Sequence, residues 1–209
     1  MKKMIFTLLL VFILFAGCKA EKQLEKPESS QEPKGTTIDI EPGMRLIYEF
    51  SMQGQPEELD IFIEAIEPEF TMKWNIPSRN SGHFYRVLLP EVIDSSIKER
   101  PRFYGGNDTL ENEYSIIFPR NLYNDLMETD TCKFFPIGDN QKEATYLVKL
   151  GMEKVDVIID GMNVQLDAIH ARERIWKNYE YWILNNPEHP LILRRISTYD
   201  FKLKEIETD

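Results

Sequence analysis

The side chains able to do chemistry are few and scattered. The three histidines, His83, His170 and His189, show no HxH or HExxH spacing, and no CxxC pair accompanies them to gather a metal. There is no GxSxG elbow, GxxxxGK[ST] loop or GxGxxG turn. Gly105-Gly106-Asn107-Asp108 lacks the Lys-Ser/Thr a phosphate loop requires and reads as a plain turn, and Ser95-Ser96 beside Asp94 is equally bland. Carboxylates are plentiful, but spacing alone nominates no acid–base pair. The sequence therefore predicts no catalytic set, no metal and no cofactor. One stretch is less ordinary. Counting by twos from Val164 and Leu166 leads to Ala168, His170, Arg172 and Arg174. A regular strand would carry these onto the face that began as core, and a turn near Lys177-Asn178 would bring Tyr179 and Tyr181 across from Trp176 and Arg174. His170, Arg172, Arg174 and Tyr181 are thus a candidate site for an acidic head group, because a guanidinium fork matches carboxylate or phosphate. A bulge near Ala171, or a strand running past the core into water, would place them elsewhere. Inward arginines are also costly unless partnered.

The elements that would position such a site read mostly as strands. Met44, Leu46, Tyr48, Phe50 and Met52 alternate with Arg45, Glu49 and Ser51, and Phe70, Met72, Trp74 and Ile76 with Thr71, Lys73 and Asn75. That period of two marks strands with one wet face. Asp160-Gly161 predicts a type I′ hairpin turn. Pairing outward sets Ile159 against Met162, Val157 against Val164, Val155 against Leu166, Asp156 against Gln165 and Lys154 against Asp167. A slip of one residue would turn the apolar set outward, so turn and register agree. Further strands are expected near 58–67, 83–89, 113–118, 131–136, 142–150, 178–185, 191–196 and 199–206. A short helix is expected after Pro119, with Leu122 and Leu126 one turn apart. Residues 90–112, broken by Pro90, Pro101 and Gly105-Gly106, read as an extended loop with room for a helical turn. The fold class is mostly β: an antiparallel curved sheet or half-barrel with one or two short helices.

The chain has 209 residues, 42% of them hydrophobic, with 12 Phe, 9 Tyr and 3 Trp, too rich in core-formers for wholesale disorder. A formal charge of −10 argues against a nucleic-acid partner, whose phosphates call for cations. Residues 19–42 hold hardly a large apolar side chain, cannot offset their ordering entropy and read as a flexible tether. As a coil this tether spans roughly 25–30 Å. Residues 43–209 suffice for a single core. Curved sheets rich in aromatics can enclose apolar ligands, although such aromatics also serve as plain core.

The N-terminus sets the location. Lys2 and Lys3 precede an apolar run from Met4 to Phe15, followed by the small residues Ala16 and Gly17. The run is shorter than the roughly 20 residues that span a bilayer, so 1–17 reads as a cleaved signal peptide. Phe15-Ala16-Gly17-Cys18 resembles the lipobox of bacterial lipoproteins, with Phe where Leu is usual. The resemblance implies cleavage before Cys18, acylation of that cysteine by chains such as palmitate, and a tether over 18–42. More than one chain makes such attachment stable, at about 0.8 kcal/mol per buried methylene. Lys19, in place of Asp, implies no retention at the inner membrane, so the expected location is the cell envelope at the outer membrane. Loss of Lys2 and Lys3 leaves 23 basic side chains against 35 acidic ones, a formal charge of −12. Acylated Cys18 leaves Cys132 without a disulfide partner, and beside Phe134 and Phe135 it reads as a structural thiol.

The C-terminal part carries a second resemblance. Tyr181-Trp182-Ile183-Leu184, then Asn186-Pro187 and Pro190-Leu191-Ile192-Leu193, and finally Phe201-Lys202-Leu203-Lys204-Glu205-Ile206, resemble the close of a family of secreted bacterial envelope proteins. Those proteins are similar to the half-barrel lipoprotein carriers of the periplasm, the LolA and LolB type. The likeness covers roughly 130–209 and transfers a fold better than a function. It implies a noncatalytic module that binds a hydrophobic or amphiphilic ligand on a concave sheet. The alternative is an interaction subunit that binds another envelope protein through a sheet edge or the 90–112 loop.

Overall fold

A computed structural model of the chain describes residues 36–52, 55–80, 82–100, 102–135, 143–175, 177–197 and 199–208. The signal segment, Cys18 and the tether up to residue 35 lie outside the described residues, as does Trp176. Strands β1 (Arg45–Met52), β2 (Gln55–Ala65) and β3 (Phe70–Asn75) lead through one 3-10 turn to β4 (Phe84–Leu88). Helix α1 (Pro90–Ser95) is followed by three short strands, β5 (Lys98–Glu99), β6 (Asp108–Leu110) and β7 (Glu113–Tyr114). Helix α2 (Arg120–Thr129) and β8 (Thr131–Phe134) precede the long pair β9 (Thr145–Ile159) and β10 (Met162–Glu173). The chain closes with β11 (Glu180–Leu184), β12 (Ile192–Ile196) and β13 (Asp200–Glu207).

The result is mostly β, a large curved sheet with two helices, as the period of two predicts. Eleven described strands lie in the order β6-β4-β3-β2-β1-β13-β12-β11-β10-β9-β8, while β5 and β7 form a separate pair. The last strand therefore slots between β1 and β12. Ladders are antiparallel except β4–β6, β5–β7 and a short contact in which Glu205 and Ile206 of β13 meet Ile158 and Ile159 of β9. That contact closes β9 to β13 into a ring at one end, short of a full barrel.

Local chemistry explains the best-defined pieces. Asp160 and Gly161 both have positive φ, 48° and 76°, as a type I′ turn demands, and every expected cross-strand pair of the hairpin is present. Helix α2 starts directly after Pro119, buries Leu122 and Leu126 on one side and stops at Asp130, whose φ is 57°. Part of 90–112 is more regular than an extended loop, because Pro90 opens α1 and buries Val92 and Ile93.

The core sits on one face of the sheet. Register places Tyr48 opposite Leu59 and Leu203, Ile61 opposite Trp74, and Phe70 opposite Leu88, all buried. Opposed residues share a face, so these side chains line one continuous inner surface. Residues of both helices join the same cluster. Residues ahead of β1 also pack on the body: the Thr36 carbonyl accepts the Asp167 N–H at 2.9 Å, and Ile40 is buried. Residues 35–209 form a compact unit with their own contiguous core, which is what independent folding requires.

Candidate functional site

The inner surface is roofed by the irregular stretch 99–115, and two arginines fasten it. Arg86 alternates with Phe84 and Leu88 along β4, so its guanidinium emerges on the inner face with almost no exposure. Its Nε and Nη2 donate to Asp108 at 2.9 and 2.8 Å. Nη1 donates to the Ser115 hydroxyl at 3.0 Å, and Nη2 also reaches the Arg102 carbonyl at 2.9 Å. The Phe103 ring lies 4.2 Å from the same guanidinium and meets Trp74 edge-on at 5.2 Å. One buried cation thus grips the cover at three places, with its charge met by a carboxylate as burial requires.

The second fastening is Arg195 with Glu99. Arg194 and Arg195 are consecutive on β12, so strand alternation sends one of them inward. Arg195 is that residue, with its side chain 4% exposed, and it pairs with Glu99, whose side chain is fully enclosed. The other Glu99 oxygen accepts the Tyr181 hydroxyl at 2.6 Å, and Arg195 Nε and Nη2 donate to the Tyr199 carbonyl at 3.3 and 2.9 Å. Burial, reinforced by the Glu99 charge, pushes the hydroxyls of Tyr181 and Tyr114 well above the usual phenol range. Burial works against the Arg195 cation, but the Glu99 carboxylate outweighs it and holds the guanidinium above its ordinary value. Both phenols are held in the neutral form, the Tyr181 hydroxyl donates to Glu99, and the arrangement fastens the cover to the sheet.

Between roof and sheet a cavity of about 20 Å³ remains, lined by Phe50, Leu59, Phe103 and Phe201 with Arg102 and Arg195. That volume is the room of a single water. A recess of about 230 Å³ lies on the opposite, outer face, where Glu49, Arg194, Asp200 and Lys202 alternate with the inward Phe50, Arg195 and Phe201.

The residues singled out from sequence separate. Along β10 the buried positions are Leu166 and Ala168, then Ile169, Ala171 and Glu173, so the core-facing parity changes after Ala168. The β9–β10 register also slips between His170 and Ala171, with Leu150 of β9 as the extra residue. His170 consequently stands among polar neighbours. Its ring stacks on Trp182 at 4.3 Å and 9°, Nδ1 faces Glu153 at 2.7 Å and Nε2 faces Glu180 at 3.2 Å. A bond from the Trp182 indole N–H, with help from His170, keeps the Glu153 carboxyl below its usual range. Arg172 lies 3.7 Å from Glu180 and joins His170 around that carboxylate. Arg174 is exposed, and Tyr181 is buried against Glu99. The structure therefore brings His170 and Arg172 together and sets Arg174 and Tyr181 apart from them.

Sequence reasoning missed Arg86, Glu99, Arg102, Phe103 and Arg195. Two signals were legible: Arg86 falls in phase with Phe84 and Leu88, and adjacent arginines on a strand cannot both face water. Glu99 carried none, since its partner lies 96 positions away. Among the described residues no group of three His, Cys, Asp or Glu is placed to hold a metal, and no helix is long and apolar enough to cross a membrane. Cys132 is a free, buried thiol, and burial pushes its pKa up. Comparison with protein families, with curated proteins and with solved structures finds no match.

Proposed function

We propose that the chain is a lipid-anchored protein of the bacterial cell envelope, held at the outer membrane by acyl chains on Cys18. Its body binds a hydrophobic or amphiphilic ligand on the inner face of the curved sheet and catalyses no reaction. The observation that carries this reading is the roof. The apolar inner face is covered by an irregular segment fastened through polar links, with Phe103 wedged against Trp74. Withdrawal of residues 102–107, which belong to no strand, uncovers a surface that includes Phe50, Leu59 and Phe201. Ligand pockets run to about 300–1,000 Å³, far above the 20 Å³ cavity, so this reading requires the cover to move when a ligand binds. The test is native mass spectrometry of residues 36–209 purified without detergent. A co-purifying lipid or fatty acid is expected. A body that carries none, and takes up none from vesicles, removes the reading.

A second reading, an interaction subunit, draws on the edge of β9. Residues 150–157 pair with β10 alone among the described strands, and Leu150 and Met152 there are each 47% exposed. An open edge of this kind can take a strand from a partner. Photo-crosslinking from Met152 in intact cells, with one recurrent protein adduct, would favour it over the first reading.

A further inference from the structure

We infer that the outer face of the corner formed by β8, β9 and the end of β10 docks on an anionic lipid bilayer. Lys133, Arg174 and Lys177 meet the head groups there, and Tyr146 and Ile175 enter the interface. The inference rests on the envelope reading, which puts a bilayer within reach of the body, and adds which face of the body meets it.

Register fixes the face. Lys133 of β8 stands directly opposite Tyr146 of β9, and the Arg174 N–H donates to the Tyr146 carbonyl at 2.9 Å, so the three positions form one row across the strands. Thr131, Val148 and Arg172 form the next row of the same parity. The alternate positions, Cys132, Phe134, Thr145, Leu147, Ala171 and Glu173, are all buried on the inner side. Lys133, Tyr146 and Arg174 therefore share the outer side, and all three are exposed.

The turn after β10 is held from beneath. Inward Glu173 accepts the Ile175 N–H at 3.0 Å through Oε1 and the Lys177 N–H at 2.8 Å through Oε2, while the Thr145 hydroxyl donates to Oε1 at 2.9 Å. A buried carboxylate thus fixes a turn that leaves Ile175 64% exposed. An aliphatic side chain held out in water beside cations and a tyrosine is the composition of an interfacial membrane contact.

Charge and reach agree. Lys133, Arg174 and Lys177 have no carboxylate within 4.0 Å among the described residues. Neighbouring carboxylates are engaged elsewhere: Glu180 by Arg172 at 3.7 Å and His170 at 3.2 Å, Glu153 by His170 at 2.7 Å, and Asp130 by Lys149 at 3.3 Å. Glu143, exposed ahead of β9, is outnumbered by the three cations, in a chain of formal charge −10. Thr36, the first described residue, bonds to Asp167, and the strand from Asp167 to Arg174 covers about 23 Å. The stretch from Cys18 to residue 35 spans about 60 Å at most, so acyl chains on Cys18 reach the bilayer that this corner touches.

Co-sedimentation of residues 36–209 with vesicles tests the assignment, because this form lacks Cys18 and binds only through its own surface. Vesicles of equal phosphatidylcholine and phosphatidylglycerol should pellet the body. Phosphatidylcholine alone should bind it at least about tenfold more weakly, and added salt should release it from the anionic vesicles. Lys133→Gln combined with Arg174→Gln should weaken anionic binding about 25-fold, at about fivefold per cation. Lys73→Gln, on distant β3, should leave it unchanged, with intact melting curves certifying the fold of each variant. Ile175→Cys labelled with an environment-sensitive fluorophore, selective because Cys132 is buried, should brighten and shift to the blue on the anionic vesicles. Binding without preference for anionic lipid, equal loss in Lys73→Gln, or an unresponsive label overturns the docking face. A body that binds no vesicle, or is held by an envelope protein in place of lipid, overturns it as well. None of these results touches the inner-face reading, which concerns lipid carried away by the body, or the Cys18 anchor, which this form lacks.

Discussion

Removal of the Glu99 carboxylate tests the lock directly. In Glu99→Ala the Arg195 guanidinium, 4% exposed, keeps the Tyr199 carbonyl but loses its only carboxylate among the described residues, and the Tyr181 hydroxyl loses its acceptor. Stripping one partner from a buried pair costs about 3–5 kcal/mol, because the remaining charge cannot return to water without unfolding. At a slope of about 2 kcal/mol per molar urea, the unfolding midpoint of residues 36–209 should fall by about 2 M. The double replacement Glu99→Leu with Arg195→Met removes both charges and should recover most of that loss, to within about 1 kcal/mol of the parent. The exposed pair Lys204–Glu58, 3.4 Å apart with both side chains 45% exposed, is the internal control, and Glu58→Ala should cost at most about 1 kcal/mol. If Glu99→Ala costs no more than Glu58→Ala, the roof is not held by this pair and the argument from buried charge fails.

Three further outcomes are expected. Cys18→Ser should move the protein from the membrane to the soluble fraction of lysed cells, whereas a protein that stays in the pellet is not held by acyl chains. Burial, then the nearby Arg120 charge, lowers the His189 pKa below its ordinary 6.5. The unfolded chain then binds the extra proton first, so stability is full above about pH 6.5 and declines as pH falls from there. His189→Asn should flatten that decline in urea midpoints taken between pH 7 and pH 5, and an unaltered profile would contradict the assignment. Gly161→Ala places a Cβ on a residue at φ 76°, so it should cost about 1 kcal/mol by the same measurement. An unchanged midpoint would mean that the hairpin turn tolerates another geometry.

The hairpin was legible because everything that fixes it lies within a few residues. Asp160-Gly161 sets the turn, and alternating Val155, Val157, Val164 and Leu166 set the face. Helix α2 was legible for the same reason, with Pro119 ahead of it and Leu122 and Leu126 spaced by one turn. The extrapolation along β10 to His170, Arg172 and Arg174 assumed that one parity persists, yet burial changes parity between Ala168 and Ile169. No residue in β10 announces that change, which accompanies a register slip on the neighbouring strand.

By itself the amino-acid order determined the strand-rich class, the position of the sharpest turn, the helix after Pro119 and an expectation of export, all consequences of periodicity, backbone preference and composition over short windows. Only the three-dimensional arrangement decided that β13 inserts between β1 and β12, that Glu99 meets Arg195, and that Arg86 reaches Asp108, Ser115 and Arg102 at once. Such pairings depend on which strands become neighbours. Loop closure over tens of residues carries no local signature, so they emerge only when the whole sheet has assembled.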